Sequence, residues 1–231
     1  LSEEYAFMID VGGPYTDFGF SSPDSDQDQA NTANWVEILA NWRGPLSGMT
    51  DYLTFGSYAE NWPAYADLRQ AGYAGNFGIP AYTTLNWQTL IFSPQNQLHE
   101  DTKEELADQI ATFEALDLEF VIVIMLGGND LKAEYNDIFN NTEPTTLYST
   151  IRTRLMNIAN GVDGPPTAPR PVVLCTVPDV GVTPSVAQTY SPTLFPAKRA
   201  AARAKIQAMS DDLKAQAAAQ GYAVADIHAL P

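Results

Sequence analysis

The feature that most constrains the fold is a continuous apolar run, EFVIVIML, at residues 119–126. The run is rich in β-branched residues and shows no alternation of apolar and polar positions. A strand of this kind is normally covered on both faces, as the strands of a parallel sheet are. The sequence GGND follows directly at residues 127–130 and is typical of a polar turn. We therefore predict a buried parallel strand that ends in this turn.

Strand and helix patterns alternate along the rest of the chain. Short apolar runs predict further strands over residues 5–11, 75–82, 171–177 and 222–227. Helical spacing of apolar residues predicts four helices. The first covers 34–42, and the second runs from a capping box of Thr102 and Glu105 to residue 116. The third runs from 147 to a stop at Gly161, and the fourth covers 196–220 with its inward face formed by Ala202, Ile206, Met209 and Leu213. This alternation favours an α/β protein with one domain over residues 1–231, a three-layer α/β/α sandwich around a mostly parallel, flavodoxin-like sheet.

The charge of the chain limits the partners that it can bind. Its net charge is −16, whereas nucleic acids and anionic lipids demand patches of lysine and arginine, so this balance argues against both. No apolar run approaches the roughly 18 residues that a membrane span requires. The acidity, the low lysine content and the glycosylation triplet Asn140-Asn141-Thr142 indicate a secreted or extracellular protein. The oligomeric state is left open.

Several residue types that often carry chemistry are interpreted as structural. Cys175 is the single cysteine and lies in an apolar run, which predicts a buried, inert thiol. Asp24, Asp26 and Asp28 have the spacing that opens a calcium loop, but the later glycine and glutamate of such a loop are missing from the sequence. His99 is interpreted as a surface or capping residue. The sequence contains no phosphate loop, dinucleotide fingerprint or cysteine–histidine cluster, so we expect neither cofactor nor metal.

Three polar segments follow predicted strands directly, at residues 12–19, 80–84 and 127–131. In open parallel sheets the ligand crevice lies beyond the carboxyl ends of the strands. The sequence therefore predicts that all three segments line one crevice.

The order of these segments resembles the SGNH/GDSL hydrolase family, in its lipase-like or acetylesterase-like branch. The family's first block reads Gly-Asp-Ser-x-Ser/Thr-Asp-x-Gly, and residues 12–19 read GGPYTDFG, which keeps four of its defined positions. LGGND at 126–130 is the strongest single match, to the third block. Weaker similarities are NFGIPAYTT at 76–84 to the second block, VPDVGVTPSV at 177–186 to a later conserved segment, and ADIHALP at 225–231 to the strand before the final block.

The resemblance implies ester hydrolysis by a serine, a histidine and an aspartate. It also implies an oxyanion hole formed by the N–H of the serine, a backbone N–H of the second block and the asparagine side chain of the third block. On this chain the corresponding oxyanion or substrate-binding residues are Gly12, Ala81, Gly128 and Asn129. Asp17 matches a structural aspartate of the first block.

Pro14 stands where the family has its nucleophilic serine. Proline has no hydroxyl and therefore offers no nucleophile. It also has no backbone N–H, so one oxyanion donor is lost, and such a donor is typically worth about 3 to 4 kcal/mol. Thr16, Ser21 and Ser22 are the candidates for a relocated nucleophile, but none of them is expected at the same point of the turn.

The histidine base is the second departure from the family pattern. The family ends in Asp-x-x-His, whereas Asp226 and His228 are two residues apart, near the end of the sequence. This spacing puts both on one side of a strand. The two residues are candidates for an acid–base pair, with ordinary strand-end roles as the alternative. Whether the domain lacks the family's C-terminal catalytic segment is left open.

Two functions follow as hypotheses. The first is a domain with the SGNH/GDSL esterase fold whose ester or acetyl-ester hydrolysis is impaired at Pro14, a pseudoenzyme. The second is a carbohydrate- or acyl-ligand-binding or scaffold protein that reuses the crevice, with sugar stacking offered by Trp35, Trp42, Trp62 and Trp87. A still-active hydrolase with an unusual nucleophile is a third reading, so whether the chain is an enzyme stays open.

Overall fold

The predicted α/β class is confirmed, because the computed structural model combines helices with a parallel sheet. The structure describes residues 58–59, 72–73, 75, 77–79, 82–92 and 97–228. Its elements are, in chain order, β1 (Tyr58–Ala59), β2 (Gly72–Tyr73), α1 (Thr84–Phe92), α2 (Gln97–Ala115), β3 (Ile122–Ile124), α3 (Gly128–Ala133), α4 (Tyr135–Asn140), α5 (Leu147–Val162), β4 (Val172–Cys175), a 3-10 turn (Val180–Val182), α6 (Pro184–Thr189), α7 (Pro196–Ala219) and β5 (Ala223–Ala225).

The chain divides into two units, and the first comprises residues 1–80 and 95–116. Within it, β1 and β2 form an antiparallel pair. Helix α2 lies where a helix was predicted, but the capping box at Thr102 and Glu105 is wrong. The helix begins five residues earlier, at Gln97, so Thr102 lies in its second turn and is buried there.

The second unit, residues 81–94 and 117–231, contains the parallel sheet. Strand β4 is central, with β3 on one side and β5 on the other, and Leu174 in its middle is fully buried. The registers pair Val123 with Val173 and Leu174 with Val224. All three strands run in the same direction, so their carboxyl ends lie at one edge of the sheet. Each strand is shorter than the apolar run that predicted it.

Two long helices supply a large share of the core of the second unit. The predicted inward face of α7 is confirmed, since its four apolar residues are buried: Ala202, Ile206, Met209 and Leu213. Helix α5 buries Ile151, Leu155 and Ile158 and packs against α1. The predicted stop at Gly161 is wrong, because α5 continues to Val162. A Cβ at Gly161 would lie 2.8 Å from side-chain atoms of Ile91 and Phe92, so glycine serves close helix packing there.

Two other expectations have definite outcomes. Cys175 is buried, as predicted, and burial raises the pKa of its thiol to about 11, which keeps the thiol unreactive. The strand predicted over 75–82 is wrong in its described part, because residues 77–79 adopt no strand. Pro80 follows them and cannot donate to a sheet. The strand predicted over 5–11 and the helix predicted over 34–42 lie outside the described residues.

Candidate functional site

The turn after β3 brings the GGND sequence to the carboxyl edge of the sheet. Gly127 has a φ of +99°, a left-handed conformation that favours glycine, and it precedes α3 directly. A Cβ at this position would also lie 2.8 Å from Cγ2 of Val177, which follows β4. The absence of a side chain at Gly127 therefore lets the ends of β3 and β4 approach each other closely.

Asn129 is half-buried in the first turn of α3, beside Gly128. Its Nδ2 atom donates a hydrogen bond to the carbonyl oxygen of Tyr82 at 3.0 Å. An amide nitrogen carries two hydrogens, so this bond orients the Asn129 side chain and leaves its second N–H able to donate. Burial raises the pKa of the neighbouring Tyr82 phenol, which keeps that side chain neutral.

Asp130, the next residue, binds the same segment of chain with both carboxylate oxygens. Oδ2 accepts from the backbone N–H of Thr84 at 2.8 Å, and Oδ1 accepts from the Thr84 hydroxyl at 2.7 Å. The Nη1 atom of Arg154 lies 3.8 Å from Oδ1. Asp130 is 7% exposed and Thr84 fully buried, so these are desolvated bonds to a charged acceptor, the strong kind.

The start of α1 explains why Thr84 presents its N–H to Asp130. Thr83 and Asn86 form a reciprocal cap, in which Asn86 Oδ1 accepts from the Thr83 N–H at 2.9 Å and the Asn86 N–H donates to Thr83 Oγ1 at 3.3 Å. The first N–H groups of a helix have no partner within it. The carboxylate of Asp130 satisfies one of them from another part of the chain and lies at the positive end of the α1 dipole.

His228 lies just beyond β5 at the same edge of the sheet and is 1% exposed. Its backbone N–H donates to Thr176 Oγ1 at 2.9 Å, and its Nδ1 atom lies 2.9 Å from the carbonyl oxygen of Val177. A carbonyl oxygen can only accept, so Nδ1 carries a hydrogen, and in the neutral form of the ring the lone pair is therefore on Nε2. That Nε2 atom is buried and has no hydrogen-bond partner within the described part of the chain.

Asp226 was predicted as the possible partner of His228, and its carboxylate binds two other residues. Oδ1 accepts from the Thr176 hydroxyl at 3.0 Å, and Oδ2 accepts from Lys214 Nζ at 2.7 Å. The group that holds Nδ1 of His228 is therefore the Val177 carbonyl. A catalytic role for Asp226 and His228 stays a prediction.

A third polar cluster follows β4. Asp179 Oδ1 accepts from the N–H of Gly181 at 2.9 Å, which begins the 3-10 turn. The guanidinium of Arg199, on α7, donates to the Gly181 carbonyl and to the Tyr135 hydroxyl. This cluster ties the first turn of α7 to the segment after β4.

The structure brings together only part of the predicted site. Gly128, Asn129, Asp226 and His228 lie at the carboxyl edge of the sheet, whereas Gly12, Pro14 and Ala81 lie outside the described residues, as do Asp17, Thr16, Ser21, Ser22 and Asp24, Asp26 and Asp28. Trp87 is 7% exposed and packs edge-on against Tyr82, so this tryptophan offers no face for sugar stacking. The other three tryptophans are also outside the described residues.

Sequence reasoning missed Thr84, Asp130 and Arg154. Asp130 ends the strongest motif, and Thr84 ends the segment that resembles the second block. The presence of both segments in one sequence was therefore the signal that could have indicated a contact between these two residues. Within the described residues, no group of three or more histidine, cysteine, aspartate or glutamate side chains could hold a metal ion. Among the same residues, no helix is long and apolar enough to cross a membrane.

Comparison with family models, with curated proteins and with solved structures found no match to this chain. The fold and the site therefore define its class: an α/β protein whose polar residues gather beyond the carboxyl ends of a parallel sheet.

Proposed function

We propose that this chain is a domain of the SGNH/GDSL hydrolase type whose ester-hydrolysing chemistry is impaired. The observation that carries the proposal is the pair of contacts from Asn129 and Asp130 to residues 82–84. These contacts join the two segments that resemble the family's second and third blocks, which in that family provide oxyanion donors. The positions of both segments at the carboxyl edge of a parallel sheet support it further.

The impairment follows from the chemistry of residue 14. Proline supplies neither the attacking oxygen nor the backbone N–H that would stabilise a developing oxyanion. The second N–H of the Asn129 amide has no acceptor among the described residues, and a buried histidine lies at the same edge of the sheet. Groups that could bind a carbonyl oxygen are therefore kept, although the attacking group is lost. We expect an ester to bind without efficient turnover.

Hydrolysis of p-nitrophenyl acetate by the purified chain and by a Pro14→Ser variant tests this proposal. The unchanged chain is expected to give no turnover above the rate in buffer and no label from a fluorophosphonate. The variant is expected to take the label at residue 14, because its serine restores both the hydroxyl and the N–H. Turnover by the unchanged chain, with a label mapped to another serine or threonine, would contradict impairment and identify a substitute nucleophile.

The alternative function is a binding or scaffold protein that uses the crevice without chemistry. Burial of Trp87 weighs against a carbohydrate stacked on that residue and leaves an acyl ligand as the better candidate. Absence of label from both the unchanged chain and the Pro14→Ser variant, together with saturable binding of a non-hydrolysable acyl ether, would favour this alternative.

A further inference from the structure

A single triplet of the glycosylation type, Asn140-Asn141-Thr142, occurs in the sequence. Its middle position is asparagine, whereas a proline there would block modification. A triplet this short also arises by chance. Whether it marks an attachment site therefore depends on whether the folded protein accommodates a glycan at Asn140.

The triplet forms a turn at the end of a helix. Asn140 is the last residue of α4, and Asn141 follows it in the left-handed conformation, with a φ of +60°, which ends the helix. The backbone N–H of Asn141 donates to the carbonyl of Ile138 at 3.3 Å, and that of Thr142 donates to the carbonyl of Asp137 at 2.9 Å. The turn is therefore held by backbone bonds, which a glycan on the Asn140 side chain leaves intact.

Burial changes abruptly at Asn140. The two residues before it, Ile138 and Phe139, are buried and belong to the core. In contrast, residues 140–142 and 144–146 are all exposed. A glycan is bulky and hydrophilic, so its attachment point has to be at the surface. The exposed run that begins at Asn140 meets this requirement, because the inner face of α4 is formed by other residues.

The hydrogen bonds of the Asn140 amide also tolerate a sugar. Its Nδ2 atom donates to the carbonyl of Asn136 at 2.9 Å and to Oδ1 of the same residue at 3.2 Å. A glycan replaces one of the two hydrogens on Nδ2, so the other still donates. Oδ1 of Asn136 also accepts from the Tyr190 hydroxyl at 3.3 Å, and Oδ1 of Asn140 accepts from Lys198 Nζ at 2.9 Å. The modification therefore costs one bond that is exposed to solvent.

We infer that Asn140 carries an N-linked glycan in the secreted form of this protein. In this step a bond forms between Nδ2 and the anomeric carbon of an N-acetylglucosamine, and the bond from that carbon to the pyrophosphate of a lipid-linked oligosaccharide donor breaks. The amide gives up one proton, and the lipid pyrophosphate is the leaving group. Transfer takes place on the chain as it enters the secretory pathway, so the fold has only to accommodate the product. The inference rests on the expected secretion and is independent of the proposed hydrolase function.

Mass spectrometry of the protein purified from its natural source tests the inference. We expect an intact mass above that of the polypeptide, and a shift to the lower mass after treatment with peptide N-glycosidase F. That enzyme converts the glycosylated asparagine to aspartate, so peptide mapping should place the conversion at Asn140. An unmodified Asn140 in this material would overturn the inference.

Variants translated behind a cleavable signal peptide, in the presence of endoplasmic-reticulum microsomes, assign the site. The protease-protected chain should carry a mass shift that endoglycosidase H removes. Asn140→Gln and Thr142→Ala should each abolish the shift, and the second does so without changing the acceptor asparagine. Asn141→Gly is the matched control, because it keeps both the triplet and the left-handed turn, and its shift should be retained. A protected chain without the shift, or a shift that persists in Asn140→Gln, would contradict the assignment.

Discussion

The ends of β3 and β5 lie at the same edge of the sheet and use their polar residues in opposite ways. Beyond β3, Asn129 and Asp130 direct three hydrogen bonds to residues 82–84, and the carboxylate of Asp130 has donors at both oxygens. Beyond β5, His228 uses its N–H and Nδ1 but keeps a buried Nε2 without a partner among the described residues. One end is closed by contacts to the chain itself, and the other keeps a buried ring nitrogen that no described residue contacts by a hydrogen bond.

This difference separates polar groups that are satisfied within the chain from one that no described residue satisfies. A buried acceptor without a donor costs about 1 to 3 kcal/mol, and native proteins keep few such groups. Asp130 avoids the cost through Thr84, so its charge stabilises the turn. Among the described residues, the Nε2 atom of His228 has no partner that would offset this cost, and a group of this kind is a candidate for contact with a ligand.

The largest effect is expected at the closed end. Asp130→Ala leaves the N–H and the hydroxyl of Thr84 buried without partners, and we expect a loss of about 3 kcal/mol in the free energy of unfolding. Thr84→Val removes only the hydroxyl bond and should cost about 1 kcal/mol. Urea denaturation measures both values, and hydrogen exchange should show faster opening at residues 82–84 in Asp130→Ala.

Asp137→Ala is the matched control for Asp130→Ala. Asp137 also accepts two side-chain bonds, from Asn136 and Thr142, but these bonds are exposed to solvent. Its replacement should cost less than about 1 kcal/mol. If the two aspartate variants were equally stable, the contacts of Asp130 would not be what holds the turn after β3 against α1.

An intermediate effect is expected at His228. His228→Ala removes a buried ring and leaves the Val177 carbonyl without its donor, so we expect a loss of about 2 to 3 kcal/mol. Asparagine can place its amide nitrogen near the position of Nδ1 while lacking Nε2, and His228→Asn should therefore cost about half as much.

Nitrogen NMR of the unchanged chain reports the same arrangement directly. The neutral ring of His228 is expected to carry its hydrogen on Nδ1, with an Nε2 shift typical of an unprotonated nitrogen. A hydrogen on Nε2 would contradict the assignment and remove the contrast between the two ends of the sheet.

The elements that follow from local pattern were predicted best, and the contacts between distant residues were missed. Period and composition are local properties of the sequence. They therefore predicted the strand within 119–126 and the helices α5 and α7. The helix start predicted at Thr102 was wrong because a capping box is a short pattern that also occurs inside helices. The bond between Thr84 and Asp130 joins residues 46 apart, and no local signal specifies such a pairing. The carboxyl-edge rule did predict correctly that residues 82–84 and 127–130 meet.

The smallest effect is expected at Lys214, which lies on the β5 side but at the surface. Hydrogen bonds to Asp211 and then Asp226 raise the pKa of this lysine. A raised pKa stabilises the fold fully below the ordinary value of 10.5, and the contribution is lost as pH rises through the raised value. Lys214→Met should therefore shift the urea midpoint at pH 7 less than either His228 variant, and the shift should diminish as pH rises through the raised pKa of Lys214. A shift larger than that of His228→Ala would mean that the exposed ion pair, and not the buried histidine, fixes the end of β5.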